Sequence, residues 1–391
     1  MMRVLKWVGT VLLWLVVVLC LAVTIVPRFL DRIYYEGAVS DHFDGARFFN
    51  PDDAGDDGQL PGGRSRGSFI WGQATGQDGR PSWPSSVPVA QARPPARVTG
   101  DDMLVTWIGH ATVLVQAGGI NILTDPIYAE RAGPFGIFGP QRVTRPGVAF
   151  DDLPKIDLML VSHNHYDHLD KPTLRKLWDR DRPRIVTSLG NDSVIAQAGV
   201  PSTAVDWGGR VSIAPGIDVI VNRNHHWGSR WFADRNRALW SSFVVTLPGG
   251  NLFFAGDTGA GDYRWADEAR AYGPIRLALM PIGAFRFVPG QMATATHIGP
   301  VDAVELFRRM GASRGIGIHW GTYRLSAEAY DTPPRLLDAV TACVGLPNPI
   351  DTVPIGVPQR IAGGGDQSVA PPTDRDALMA CLDNDAVRAM R

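Results

Sequence analysis

Positions 163–168 read His163-Asn164-His165-Tyr166-Asp167-His168, directly behind the apolar run Ile156-Asp157-Leu158-Met159-Leu160-Val161-Ser162. A short β-type run followed at once by four potential metal ligands restricts the fold to one whose strand ends open onto a metal centre. An i, i+2 histidine pair leaving a strand can close on one ion, while Asp167 and His168 turn toward another. The same order recurs three more times along the chain. Val219-Ile220-Val221 leads to His225-His226-Trp227, Leu252-Phe253-Phe254-Ala255-Gly256 leads to Asp257, and Ile316-Gly317-Ile318 leads to His319.

The 391 residues are 45% hydrophobic and 20% charged, which supplies a large core and excludes a disordered or collagen-like chain. The length admits two domains, but one α/β unit over 101–350 accounts for the strand-and-ligand pattern. With 38 basic against 39 acidic side chains the net charge is −1, so there is no broad positive field to gather nucleic acid. Cys20, Cys343 and Cys381 are too few for a disulfide framework or a cysteine-rich zinc site. Any metal must therefore rest on histidine and carboxylate.

From Trp7 to Pro27 no residue is charged, and the run is flanked by Arg3 and Lys6 before it and Arg28, Asp31 and Arg32 after it. A helix rising ~1.5 Å per residue crosses ~30 Å of hydrocarbon in about 20 residues. A cleaved signal peptide and a buried core helix are the alternatives. The run exceeds the usual ~7–15-residue signal core, and no Ala-x-Ala site precedes Pro27, so residues 1–32 read as an uncleaved single-pass anchor. Basic residues flank it evenly, and the orientation rests on the short tail ahead of a large domain, which points to a domain outside the cytoplasm.

Residues 33–100 read as an irregular wrapping segment. Tyr34-Tyr35, His42-Phe43 and Arg47-Phe48-Phe49 make its start aromatic enough to dock, and Pro51 to Val98 is dense in Gly, Pro, Ser, Asp and Gln. Helices are expected over Pro172 to Trp178 and Asp302 to Met310, the latter opened by Pro300 and stopped by Gly311. Residues 351–391, with Gly363-Gly364-Gly365 and Pro371-Pro372, read as a linker and tail with a short terminal helix.

The His163-x-His165-x-Asp167-His168 motif resembles that of the metallo-β-lactamase fold superfamily. Trp107-Ile108-Gly109-His110-Ala111-Thr112, Leu123-Thr124-Asp125-Pro126, Gly139-Pro140-x-Arg142, His226-Trp227, Ala255-Gly256-Asp257-Thr258-Gly259, Pro281-Ile282-Gly283-Ala284 and Ile318-His319-Trp320-Gly321-Thr322 extend the likeness. Together they resemble the branch of N-acylphosphatidylethanolamine-hydrolysing phospholipase D over roughly Tyr34 to Leu346. Related bacterial proteins and ascorbate-6-phosphate lactonases share much of this set.

The resemblance implies an α/β fold, the αββα four-layer sandwich, with metals at one edge of two mixed sheets. It implies two Zn2+, or another divalent transition metal such as manganese or iron. His163, His165 and His226 would hold one ion, Asp167, His168 and His319 the other, and Asp257 would bridge. His225 is the alternative to His226, because adjacent strand residues point to opposite faces. His297 is the candidate proton donor to the leaving group. His110 and Asp125 either fix ligand imidazoles or make ordinary strand-end hydrogen bonds.

The implied reaction releases N-acylethanolamine and phosphatidic acid from a membrane phospholipid. Hydrolysis of a lactone or soluble phosphate ester at the same site is the alternative, and a noncatalytic metal-binding envelope protein the third. Two apolar loops, Gly133 to Gly139 and Phe285 to Pro289, either meet lipid or belong to the core. Oligomeric state is not legible.

Overall fold

The computed structural model describes residues 2–52, 79–345, 350–363 and 373–390. The expected wrapping segment is therefore described except for 53–78, and the Gly/Pro-rich stretch 364–372 also lies outside the described residues. Helix α1 (Met2–Leu30) stands clear of the rest. It runs 28 residues from Arg3 to Leu30, and an 18-residue window of it has a mean hydropathy of 2.8 with none of that window buried, so it is long and apolar enough to cross a membrane.

The described strands form two seven-stranded sheets. One sheet takes β1 (Met103–Gly109), β2 (Thr112–Ala117), β3 (Ile120–Thr124), β4 (Leu158–Val161), β5 (Arg184–Ser188) and β6 (Thr203–Val205). The other takes β7 (Arg210–Ala214), β8 (Ile217–Asn222), β9 (Ser242–Val245), β10 (Asn251–Phe254), β11 (Ile275–Pro281), β12 (Arg314–Ile318) and β13 (Ile350–Asp351), after which β14 (Gln359–Ile361) returns to pair with β1. Each sheet is mixed: β1 to β3 are antiparallel and β3 to β6 parallel, and β7 to β10 are antiparallel and β10 to β13 parallel.

The layers follow from a side-chain period of two. Leu158 and Leu160 of β4 enter the core between the sheets, where they join Phe243, Phe254, Leu277, Leu279 and Ile316. Met159 and Val161 point the other way, onto Leu174 and Leu177 of α2 (Lys171–Asp181) and Val194 and Ile195 of α3 (Asn191–Ala196). In the second sheet Phe253, Ala278 and Met280 face outward under α4 (Arg264–Ala271), α5 (Pro300–Met310) and α6 (Thr332–Val344). Full burial of a side chain such as Phe254 or Leu277 stabilises by roughly 1.5–3 kcal/mol, so both sheet faces need cover. The result is the four-layer metallo-β-lactamase sandwich. Helix α5 ends where expected, on Gly311 at φ 63°, a left-handed conformation that glycine adopts without a Cβ clash.

The C-terminal stretch does more than link. Besides β14, it supplies α7 (Arg375–Leu382) and α8 (Asp385–Arg388), whose Leu378, Leu382 and Val387 join the outer core of the second sheet. Cys381 of α7 is disulfide-bonded to Cys343 of α6, 38 positions earlier, while Cys20 is free and exposed. Three cysteines thus make one bond and no framework. At the other end, Tyr35, Phe43 and Phe48 pack with Leu239 and Trp240, so the aromatic start of the wrapping segment is docked.

Candidate metal centre

All the chemistry-bearing loops leave carboxyl ends of strands, and the two sheets bring those ends to one edge. His110 follows β1, Asp125 follows β3, the 163–168 motif follows β4, His226 follows β8, Asp257 follows β10 and His319 follows β12. The turns are tight: His110, Asp125 and His319 have φ of 55°, 30° and 63°. Such values are uncommon outside glycine and persist where surrounding structure holds them. Gly256, at φ 61°, brings Asp257 over the motif, and a Cβ there would lie 2.7 Å from that of Ser162.

Ligand atoms of His163, His165, His226 and Asp257 lie within 4.8 Å of one another, as do those of His110, Asp167, His168 and His319. In the first group His163 Nε2 is 2.8 Å and His226 Nε2 3.4 Å from His165 Nδ1. In the second, His168 Nε2 and His319 Nε2 are 3.1 Å apart. Asp257 stands between the groups: its Oδ2 is 3.1 Å from His168 Nε2 and 3.9 Å from His226 Nε2, and its Oδ1 is 3.0 Å from His319 Nε2. Asp167 Oδ2 lies 3.5 and 3.6 Å from the same two imidazoles, those of His168 and His319. All seven residues expected as ligands therefore converge.

The charge balance fits cations. Burial, reinforced by His168, holds His163 well below the usual imidazole range; burial also brings His165 down to about 3 and lowers His226. Neutral imidazole is the form that ligates a metal. Burial opposes protonation of His168 and His319 too, but Asp257 and its fellow carboxylates outweigh it, raising His168 well above the ordinary value and His319 to about 9. Burial likewise opposes ionisation of Asp257 and Asp167, yet His168 and neighbouring imidazoles keep both well below the carboxylate range. Two anions at the centre thus require positive charge, supplied by protons on His168 and His319 or by metal. Nitrogen and carboxylate donors from buried, convergent side chains suit a divalent transition metal.

The candidate ligands are themselves held. Asp125 Oδ2 is 2.6 Å from His168 Nδ1 and accepts the Ser162 hydroxyl at 2.5 Å, while its Oδ1 accepts the Ser162 N–H at 2.7 Å. His110 Nε2 is 2.9 Å from Asp167 Oδ2, and His226 Nδ1 is 2.8 Å from the Thr296 carbonyl. His225 and His226 part company: His226 faces the cluster, whereas His225 Nδ1 turns to Asp52 at 2.9 Å. His297 comes close, with Nδ1 3.9 Å from Asp257 Oδ2, and burial lowers its pKa to about 4 despite Asp257. Trp107 serves packing, lying 5.2 Å from the Trp320 ring and donating to the His110 carbonyl. Trp227 packs edge-on against His165 at 4.2 Å.

Three contributors carry no local signature in the sequence. Asp52 reaches His225 from 173 positions away. Arg230, buried under the motif, donates to the carbonyls of Asn164, His165 and Leu169 and so fixes the loop. Ser162 shares Asp125 with His168. The two apolar loops also differ: Phe135, Ile137 and Phe138 are exposed, whereas Phe285 is buried in the outer core.

Comparison with known proteins agrees with this geometry. A family described as a beta-lactamase superfamily domain matches residues 120–320. The N-acyl-phosphatidylethanolamine-hydrolyzing phospholipase D 1 of Caenorhabditis elegans is 35% identical over 259 residues, 62% of this chain and 72% of that protein. The mitochondrial N-acyl-phosphatidylethanolamine-hydrolyzing phospholipase D of Saccharomyces cerevisiae is 31% identical over 250 residues, 62% of this chain and 52% of that protein. Among solved structures, a possible metal-dependent hydrolase from Veillonella parvula superposes with a TM-score of 0.52 at 15% identity, covering 66% of this chain and 99% of that one. That likeness shows the fold.

Fold and relatives together define a metal-dependent hydrolase. The chain belongs to the beta-lactamase superfamily, in the branch of the N-acylphosphatidylethanolamine-hydrolysing phospholipases D.

Proposed function

We propose that the protein is a membrane-anchored dinuclear zinc phosphodiesterase that hydrolyses N-acylphosphatidylethanolamine to N-acylethanolamine and phosphatidic acid. The observation that carries this reading is the meeting of two donor groups at Asp257 in a chain 35% identical to a phospholipase of that name. His163, His165 and His226 would hold one zinc, Asp167, His168 and His319 the other, with Asp257 shared. When bound, the metals would supply Lewis acidity toward the phosphoryl oxygens and a water of lowered pKa.

The chain's own residues do the rest. Neutral His297 accepts a proton as water oxygen bonds to phosphorus, and returns it to the departing ethanolamide oxygen when the phosphorus–oxygen bond breaks. This differs from a resting proton donor, because an imidazole with a pKa of about 4 holds no extra proton at pH 7. His110 and Asp125 orient Asp167 and His168. In the proposed organisation residues 1–32 anchor the chain, 33–100 wrap the body, 101–350 carry the hydrolase, and 351–391 form a linker and tail whose described helices pack on the outer core. The Cys343–Cys381 bond supports a domain outside the cytoplasm, where disulfides persist.

The test is hydrolysis in H2 18O by the full chain in lipid nanodiscs containing N-acylphosphatidylethanolamine. Label is expected in phosphatidic acid and not in the ethanolamide. Label in a free fatty acid, or hydrolysis of lactones with none of the phospholipid, would refute the proposal. A lactone or soluble-ester activity is the second reading, favoured by one observation: Phe285, on one of the two apolar loops that could either meet lipid or belong to the core, is buried.

A further inference from the structure

Helix α1 ends at Leu30, and the very next residue is fastened to the body. Asp31 accepts from Arg237 Nε at 2.7 Å and Nη2 at 2.8 Å, and from Arg47 Nη2 at 2.9 Å. Tyr34 adds a 2.8 Å bond to Asp234. With no slack between span and body, the face of the domain beside Leu30 has to lie against the bilayer in which α1 sits.

That face is built unlike an ordinary protein surface. Phe135, Ile137, Phe138 and Phe232 are 79%, 65%, 58% and 74% exposed, on loops joined by a 6.1 Å contact between the Phe135 and Trp231 rings. Exposed aromatic and branched side chains grouped on one face mark a contact with a partner or a membrane. Behind them lies a cavity of about 700 Å³, floored by Tyr166, Trp231 and the start of α2. Five cations line it, namely Arg131, Lys171, Arg175, Lys176 and Arg230, against one lining carboxylate, Asp170, with Arg175 paired outside the cavity to Asp179 at 2.7 Å. Asp170 is occupied by the Thr173 hydroxyl at 2.6 Å. The cavity's Gln197 also lines a second hollow with Phe29, Arg32 and Ile33, at the end of α1. Burial and the charges of Arg230 and Arg32 lower the pKa of Lys171, as expected where cations gather without enough anions. None of the side chains expected as metal ligands lines this cavity, although Tyr166 of the 163–168 loop does.

We infer that this face is an interfacial lipid site: Phe135, Ile137, Phe138 and Phe232 enter the boundary between headgroups and acyl chains, and the basic cavity behind them takes the phosphate of an anionic phospholipid. Aromatic tips with flanking lysines suit that boundary, where the apolar part is buried and the charge meets anionic headgroups. The inference rests on the reading of α1 as a membrane anchor and not on the reaction at the metal centre.

The experiment uses the full chain in nanodiscs and a polarity-sensitive thiol dye. Native Cys20 reports whether α1 is immersed; Phe138→Cys and Asp338→Cys, each in a Cys20→Ser background, report the two faces. Asp338 is exposed on α6, across both sheets from the 133–139 loop. The expected result is an apolar environment at positions 20 and 138, an aqueous one at 338, and stronger quenching of the 138 dye by brominated phosphatidylglycerol than by brominated phosphatidylcholine at equal mole fraction. Lys171→Gln with Lys176→Gln should bring the two quenchers to parity at position 138, while the same pair of changes in the Cys20 protein leaves position 20 immersed. A dye at 138 as aqueous as at 338 would overturn the inference with the anchor intact. Equal quenching in the parent would overturn it as well, and an aqueous position 20 would remove the anchor on which it rests.

Discussion

Replacing Asp125 by Asn tests how the contacts behind the candidate ligands hold the proposed metal centre. The side chain is fully buried, with Oδ1 on the Ser162 N–H and Oδ2 shared by the Ser162 hydroxyl and His168 Nδ1. In the Asp125→Asn protein the amide oxygen keeps the Ser162 N–H, which leaves the NH2 group facing His168. His168 Nδ1 must then accept, so its proton moves to Nε2, the nitrogen 3.1 Å from Asp257 that faces the cluster. A proton there blocks ligation. Losing such a partner costs about 10–100-fold in metal affinity, or roughly 1.4–2.8 kcal/mol at about 1.4 kcal/mol per decade. Chelator-competition titration of zinc against the parent and Asp125→Asn proteins measures this, with circular dichroism to show that the variant is folded. Zinc affinity within twofold of the parent in a folded Asp125→Asn protein would refute the reasoning.

Four further outcomes are expected. His226→Ala should lose bound zinc and at least about 100-fold in hydrolysis. His225→Ala should keep its zinc and instead show faster amide exchange at 34–52, since His225 holds Asp52; mass-spectrometric metal counts and hydrogen exchange separate the two. Cys343→Ser opens a closure of 38 positions and should lower unfolding stability by about 3–4 kcal/mol in denaturant titration, with no effect of reductant on the variant. Burial disfavours a charged His42, but Asp206 at 2.8 Å and Asp41 at 2.6 Å outweigh it and raise its pKa. A raised folded pKa means this stabilisation is full below the unfolded value of about 6.5 and is lost as pH climbs through the folded one. Thermal unfolding of the parent should therefore lose its advantage over His42→Gln on going from pH 6 to pH 9.

What the sequence could tell depended on how local each signal was. The 163–168 motif and the runs before His226, Asp257 and His319 are legible because a strand and the loop at its carboxyl end adjoin in sequence. The unbroken apolar run Leu158 to Val161 already implies that both faces of β4 are covered. The choice between His225 and His226 is not local: it follows from where Asp52 and the Thr296 carbonyl sit. Nor is the difference between the two apolar loops. Phe285 is buried because α7 and α8 join its cluster and Arg286 donates to the Met390 carbonyl at 2.6 Å, whereas no described core residue covers Phe135, Ile137 or Phe138. Both loops are built from the same kinds of apolar residue. The distant C-terminus decides.

In the proposed reaction, two metals seated around Asp257 perform the hydrolysis. The most direct measurement is a stepwise zinc titration of the metal-stripped full chain in nanodiscs, following N-acylethanolamine release. Silence is expected in the stripped protein, with a plateau at two zinc equivalents per chain and no release at any loading in Asp257→Ala. Full release from stripped protein, or a plateau at one equivalent, would contradict it.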